Sequence, residues 1–229
     1  MTRILALETT GQSGSVAALS DSQLLAEIPL DATKRSAASL APGIERLMDK
    51  VSWQPEDVEV VAVTSGPGSF TGLRVGVTTA KALAYTIGCQ IVAVPSLAVL
   101  AEGVSPTMSP LAVAMDAQRG EVYTSLFVAD DDGHWRCSEP VGIVPIEAWL
   151  GQLADVTSVT GPMLAKLADR IPEGVAKTDP ACWSPRAAAV GTIASRRVAA
   201  GEFDDLWSLS PLYLRRSAAE EKLAAQDPH

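Results

Sequence analysis

The residues of this sequence whose types and spacing could do chemistry stand in a glycine-rich turn that runs directly into a helix. The turn reads Ser65-Gly-Pro-Gly-Ser-Phe-Thr-Gly72, and helical spacing continues to about Leu83. Free N–H groups at a helix N-terminus attract anions, so phosphate binding is one interpretation. The pattern favours it only weakly, because the lysine of a P-loop is missing and Thr71 replaces the last glycine of the dinucleotide fingerprint.

The helix after the turn has a ridge of small residues at every fourth position: Gly72, Gly76, Ala80 and Ala84. Glycine inside a helix costs about 1 kcal/mol relative to alanine, so Gly76 requires a close contact as compensation. Small side chains let another helix or strand approach more closely than usual. That neighbour is either this chain's own sheet or a helix of another protein, and the residues alone leave both open.

Histidine and cysteine side chains are too few for metal or nucleophilic chemistry. The two histidines are His134, in an acidic turn, and the terminal His229, so no His-x-x-x-His pair exists. A serine or cysteine nucleophile usually needs a neighbouring histidine as base. The three cysteines form no Cys-x-x-Cys pair, which is typical of reduced cytoplasmic proteins. We therefore expect no tightly bound metal and disfavour hydrolase and metalloenzyme functions.

The composition excludes two further classes of protein. The net charge of −9 repels phosphate backbones, so the chain is a poor candidate for binding nucleic acid alone. Its apolar runs fall well short of the roughly 20 residues that cross a bilayer. Residues 1–8 meet an acid at Glu8 and predict a strand, not a signal peptide. We expect a cytoplasmic protein without membrane contact.

The elements that must position the turn follow an α/β pattern that is repeated. Residues 4–7 and 14–19 predict a hairpin, 23–30 a third strand and 58–63 a fourth, with a helix between them. The apolar residues that recur at helical spacing there are Leu40, Ile44, Leu47, Met48 and Val51. After the proline-rich stretch 105–110, residues 111–128 repeat the pattern of the first hairpin. The pattern is a strand, an acidic residue (here Asp116), a turn and a second strand. We predict two related lobes, residues 1–105 and 106–229, that face a cleft.

Motifs along nearly the whole chain resemble the bacterial TsaB family, also called YeaZ. They are Ile4-Leu-Ala-Leu-Glu-Thr-Thr10, the block from Ser65 to Gly76 with Ala80-Lys-Ala-Leu83, Asp116-Ala-Gln-Arg-Gly-Glu-Val-Tyr123 and Pro211-Leu-Tyr-Leu-Arg215. The Gly-Pro-Gly-Ser-Phe-Thr-Gly-Leu-Arg block is specific, whereas many actin-like ATPases share the opening hairpin. The resemblance implies an actin/Hsp70-like (ASKHA) fold of two duplicated lobes, with mixed sheets flanked by helices.

The resemblance also implies a role in making N6-threonylcarbamoyladenosine at position 37 of tRNA. In that pathway the paralogue TsaD performs the transfer and the ATPase TsaE assists, while proteins like this one bind TsaD without catalysing the step. TsaD holds its metal with a histidine pair, and residues 94–103 here contain no histidine. The implied protein is an accessory subunit with no catalytic residue and no tightly bound cofactor. The sequence leaves open whether ATP or ADP binds at the subunit junction and whether the chain pairs with itself when TsaD is absent.

The implied partner surface is a pair of helices from each subunit, forming a four-helix junction. Its expected residues are Leu40, Ile44, Leu47, Met48, Phe70, Gly72, Leu73, Arg74, Gly76, Val77, Ala80 and Lys81. If the ridge of small residues packs against a partner's helix, Gly76→Leu is expected to leave the lobe folded and to block association with TsaD or with a second copy. The alternative is an ATPase or phosphotransferase of the same fold, with a nucleotide near Glu8, Thr9, Thr10 and Asp116.

Two departures from the family pattern bear on these expectations. Residues 34–39 lack the histidine that many members carry before the first long helix, which puts any role of that histidine in doubt. Glu8 stands where actin-like ATPases usually have aspartate. Its extra methylene would move a metal–water contact by about an ångström, given a C–C bond length of about 1.5 Å, which weakens the case for ATP hydrolysis.

Overall fold

The computed structural model describes residues 1–11, 13–31, 33 and 36–215. Lys34 and Arg35, at the start of the stretch without histidine, lie outside the described residues. The described chain forms two five-stranded mixed sheets with helices on their faces.

The first sheet has the strand order β3-β2-β1-β4-β5. Strands β1, β2 and β3 are antiparallel neighbours, whereas β4 and β5 run parallel to β1. The strand bounds are β1 (Arg3–Glu8), β2 (Ser15–Ser20), β3 (Gln23–Pro29), β4 (Val60–Gly66) and β5 (Gln90–Pro95). Strands β1 and β4 are almost entirely buried, because helices cover both faces of the sheet. This explains their continuous apolar sequences.

The second sheet repeats this arrangement, with the order β10-β9-β6-β7-β8. Strands β6, β7 and β8 are antiparallel, and β9 and β10 continue parallel to β6. The bounds are β6 (Leu111–Gln118), β7 (Glu121–Ala129), β8 (Trp135–Pro145), β9 (Ser158–Thr160) and β10 (Ala176–Lys177). Because β6 and β7 match β1 and β2 in order and direction, the predicted duplication and the actin/Hsp70-like fold class are confirmed.

Six α-helices within the described ranges complete the layers. They are α1 (Ser36–Val51), α2 (Phe70–Ile87), α3 (Ser96–Glu102), α4 (Ile146–Gly151), α5 (Leu164–Leu167) and α6 (Ala187–Ala199). Helices α1 and α2 pack on one face of the first sheet and α6 on the other. Helix α3 packs against the second sheet through Leu97 and Leu100, which meet Leu111 and Phe127, and α4 and α5 cover the opposite face.

Helix α6 follows the second sheet in sequence but packs on the first. Its buried residues Ala187, Val190 and Ala194 join Ile4 and Leu19 in one apolar cluster. The division into lobes at residues 105 and 106 stays a prediction. Among the helices of the described ranges, none combines the length and the apolar character needed to cross a bilayer.

Candidate functional site

The predicted glycine-rich turn packs against the tip of the first hairpin. Ser69 caps α2, because its hydroxyl accepts a hydrogen bond from the Gly72 N–H at 3.2 Å. The Ser69 N–H in turn donates to the Thr10 carbonyl at 3.2 Å. The start of α2 and the β1–β2 hairpin therefore form one packed unit.

The ridge of small residues on α2 faces this same hairpin. A Cβ atom on Gly72 would lie 2.0 Å from the Thr9 carbonyl oxygen, and one on Gly76 would lie 2.3 Å from Thr9 Oγ1. Thr9 Oγ1 donates a 2.8 Å hydrogen bond to the Gly72 carbonyl. Ala80 is fully buried on the same face. The expectation that this ridge admits a partner's helix is wrong, since the chain's own hairpin and sheet fill the space.

Most of the other apolar residues expected at the partner surface also lie in the core of the first sheet. The buried ones are Leu40, Ile44, Leu47, Leu73 and Val77, and Met48 is partly buried against them. The helical periodicity correctly identified an apolar face, but that face covers β-strands. These side chains can hold α1 and α2 in place without touching a partner.

Three of the expected partner residues of α2, Phe70, Arg74 and Lys81, are not buried, and all three contact the C-terminal segment 204–215, here called the strap. The Phe70 and Tyr213 rings stack with centroids 4.9 Å apart. Arg74 lies 4.3 Å over the Phe70 ring, and its Nε donates to the Tyr213 hydroxyl at 3.3 Å. Lys81 Nζ donates to the carbonyls of Trp207 and Leu209, at 3.2 and 2.8 Å. The outer side of α2 is thus a composite of helix and strap.

Sequence reasoning did not assign the strap to this surface. The only signal was the Pro211-Leu-Tyr-Leu-Arg215 motif, which marked the segment as characteristic but gave no position for it. Its contacts with Arg74 and Lys81 join residues that are more than 120 positions apart, so no local pattern could place it.

Glu8, at the end of β1, is fully buried and protonates readily. Burial raises its pKa from 4.5 to about 7, with a small addition from the Glu27 charge, and this outweighs the hydrogen bonds from Thr10 and Gly11, which lower it. The Thr10 N–H donates to Glu8 Oε1 at 2.6 Å, and the Thr10 hydroxyl donates to the same oxygen. Among the described residues, Oε2 has no hydrogen-bond partner.

Asp116 occupies the equivalent position in the second sheet but is in a different environment. Its Oδ2 pairs with Lys166 Nζ at 2.6 Å, and its Oδ1 accepts from the Gln118 N–H at 2.7 Å. Partial burial raises the pKa of Asp116, but the hydrogen bonds and the Lys166 charge outweigh burial and lower it overall.

The four candidate nucleotide ligands, Glu8, Thr9, Thr10 and Asp116, therefore do not share one environment. No hydrogen bond or ion pair within the described ranges joins Glu8 to Asp116. A metal–nucleotide complex needs accessible, ionised oxygen ligands. The Glu8 carboxyl is inaccessible and the Thr9 hydroxyl is already bonded to α2. These residues do not fit the coordination of such a complex.

One group of potential metal ligands occurs in the described residues, at the β7–β8 turn. Ligand atoms of Asp130, Asp132 and His134 lie within 4.8 Å of one another. Asp130 already accepts hydrogen bonds from the backbone N–H groups of Asp132 and His134 and from the Arg136 side chain. This matches the solvated turn expected from the sequence.

Comparisons with known proteins agree with this geometry. The family model of TsaD, tRNA N6-adenosine threonylcarbamoyltransferase, matches residues 22–132. A relative from Bacillus subtilis, named tRNA threonylcarbamoyladenosine biosynthesis protein TsaB, is 35% identical over 124 residues, about half the length of each chain (54%). The Escherichia coli protein of the same name is 28% identical over 98% of this chain and 100% of its own.

The fold of a solved relative is also close. The structure titled YeaZ from Pseudomonas aeruginosa superposes with a TM-score of 0.80 at 26% identity, covering 93% of this chain and all of that one. The hairpin motifs, the duplicated sheets and these relatives agree with one another. Together, the relatives and the solved structure support the TsaB (YeaZ) family for this chain.

Proposed function

We propose that this chain is a non-catalytic subunit that binds a TsaD-type transferase and supports the synthesis of N6-threonylcarbamoyladenosine in tRNA. The observation that carries the proposal is the closed first hairpin. Glu8 is fully buried, and Thr9 and Thr10 direct their hydroxyls to groups of this chain. In an actin-like ATPase the corresponding tip must be open to nucleotide. The same observation argues against the alternative of an ATPase or phosphotransferase.

The surface proposed for the transferase is the outer side of α1 and α2, which pack side by side on the first sheet. On α1 this side carries the exposed residues Ala41, Pro42 and Glu45, and on α2 it carries Arg74 and Thr78. Small apolar residues beside charged ones are suited to close packing with a polar rim. The proposal includes TsaE as a further partner and ATP or ADP at the subunit junction. It also includes self-association of this chain when the transferase is absent.

The test is gel filtration of the purified chain with the TsaD-type transferase of the same genome. We expect the wild-type chain to elute with the transferase and Arg74→Glu to elute separately. Arg136→Glu is the matched control, because Arg136 is exposed on the second sheet, and it should elute with the transferase. The proposal is contradicted if the wild-type chain stays separate, or if the purified chain alone hydrolyses ATP at tens of turnovers per second.

A further inference from the structure

Arg215, at the end of the strap, links the strap to the second sheet. Its Nη1 donates to the Ala117 carbonyl at 2.8 Å, and its Nη2 pairs with the Glu121 carboxylate. Ala117 lies near the end of β6 and Glu121 begins β7. Between them, Gln118 and Arg119 have positive φ angles of 65° and 57°. One guanidinium therefore contacts both sides of the β6–β7 turn.

The strap before Arg215 is fixed to the first sheet. Leu206 and Leu209 pack against the apolar core of that sheet. The Leu212 N–H donates to the Ser65 carbonyl, at the end of β4, at 2.7 Å. Leu212 and Arg215 are three residues apart, and three residues span at most about 10 Å. The strap therefore connects the first sheet to the β6–β7 turn with little slack.

Helix α3 packs between the two sheets at a different place. Val99 joins the apolar cluster under α6, on the first sheet, whereas Leu97 and Leu100 join the cluster of the second sheet that contains Leu111. A helix packed between two bodies is an axis about which they can hinge or shear. Leu111 begins β6 and Gln118 ends it, about 23 Å away at the usual rise of a strand. The Arg215 contact thus acts at the far end of β6.

We propose that Arg215 is a clamp that holds the two sheets in one relative orientation by blocking rotation about α3. Its planar fork of donors fixes direction as well as distance. Without the guanidinium, the Glu121 carboxylate would stay partly buried and unpaired, which is unfavourable. An attachment far from the axis of rotation resists that rotation more than one beside it. The inference uses contacts within this chain alone and does not depend on the proposed function.

The alternative is that Arg215 stabilises only the β6–β7 turn. Residues other than glycine at positive φ are unfavourable, and a guanidinium bonded to both ends of the turn would offset that cost without any effect on the sheets. The two roles differ in what they change. A turn stabiliser affects amide exchange in residues 117–121 alone, whereas a clamp also affects the distance between the sheets.

The test is the distribution of distances between spin labels on the two sheets, measured by double electron–electron resonance on the full chain. Cys137 is exposed on β8 and takes one label. Leu24→Cys gives the other, at an exposed position of β3, and Cys89→Ser and Cys182→Ser remove the remaining thiols. We expect one narrow distribution in this background. Adding Arg215→Met should at least double its width.

The matched control is Arg170→Met, because Arg170 also pairs with a glutamate, Glu147, but both belong to the layer that covers the second sheet. It should leave the width unchanged. Equal widths in Arg215→Met and Arg170→Met would overturn the clamp, and faster amide exchange in residues 117–121 alone would then assign Arg215 to the turn.

Glu121→Gln tests the clamp a second time, and decides the matter if Arg215→Met does not fold. Glutamine removes the charge partner of Arg215 but leaves its bond to the Ala117 carbonyl. We expect the distance distribution to broaden, by less than in Arg215→Met. A width equal to that of the labelled background would contradict the proposal.

Discussion

The side-chain oxygen of Thr9 fills the space where Gly76 has no side chain. A Cβ atom at position 76 would lie 2.3 Å from Thr9 Oγ1, which is too short for any real contact. The same oxygen donates to the Gly72 carbonyl one turn earlier on α2. Gly76 therefore lets α2 approach the first hairpin closely enough for this hydrogen bond, which offsets the cost of a glycine inside a helix.

This contact predicts that Gly76→Ala destabilises the fold although alanine is the better helix former. We expect the free energy of unfolding to fall by about 1–3 kcal/mol, the usual cost of overpacking. Urea denaturation measures it. Ala82→Leu is the control, because Ala82 is exposed on the same helix and should change stability by less than about 0.5 kcal/mol.

A double mutant checks the physical reason. In the Thr9→Ala background the clashing oxygen is absent, so Gly76→Ala should cost less than it does alone, a coupling of about 1 kcal/mol. If the changes in the free energy of unfolding are purely additive, a contact other than the one with Thr9 requires glycine at position 76.

Glu8 predicts a dependence of stability on pH that is unusual for a carboxyl group. Its pKa is 4.5 in the unfolded chain and about 7 in the folded one, so between these values the folded state binds more protons. The free energy of unfolding should therefore fall as the pH rises from 4.5 to 7, by about 3 kcal/mol from this group, and level off above. Denaturation curves at several pH values measure the slope.

Glu8→Gln should remove this contribution, because glutamine stays neutral throughout. The variant's stability relative to wild type should then increase between pH 5 and pH 8. Glu56→Gln, at an exposed position, should leave the slope as it is in the wild type. A Glu8→Gln curve parallel to the wild-type curve over this interval would show that Glu8 does not hold a proton near neutral pH.

The hydrogen bonds between Lys81 and the strap predict that Lys81 stabilises the strap locally. Lys81→Met keeps the apolar stem but removes the ammonium that donates to Trp207 and Leu209. We expect the strap to open more often, so that the Leu212 amide, bonded to Ser65, exchanges with solvent about fivefold faster, equivalent to about 1 kcal/mol. Lys50→Met on α1 is the control. If the Leu212 amide exchanges at the same rate in Lys81→Met and Lys50→Met, Lys81 does not hold the strap in place.

The acidity of the chain predicts that it does not bind tRNA by itself. With a net charge of −9, we expect no saturable binding below about 10⁻⁶ M at physiological salt, the range of non-specific binders. Filter binding of the purified chain measures this. A curve that saturates at submicromolar concentration would contradict the prediction.

The sequence predicted the elements whose signals are local. The apolar strands that open each hairpin and the Gly-Pro-Gly-Ser turn before α2 lie where their patterns indicate. The direction in which the small ridge faces was not predictable, because periodicity identifies a helix face but not what covers it. A glycine at position 76 is equally compatible with close packing against a partner's helix and with close packing against Thr9.

Strand β8 and the strap escaped prediction for a different reason. Residues 135–145 include Pro140 and Gly142, which argue against a strand, and the segment is extended because it pairs with β7 at the sheet edge. The strap has no periodic pattern, and contacts with distant residues such as Phe70 and Lys81 position it. Likewise, the burial of Glu8 depends on the packed hairpin and is not visible in its sequence neighbours.

The most direct measurement of the central claim is a reconstituted threonylcarbamoylation assay with the TsaD-type transferase, TsaE, threonylcarbamoyl-adenylate and tRNA. We predict that this chain alone yields no modified adenosine, that adding it to the transferase raises the rate at least tenfold, and that Arg74→Glu abolishes this increase. A transferase rate that is the same with and without this chain would contradict the account.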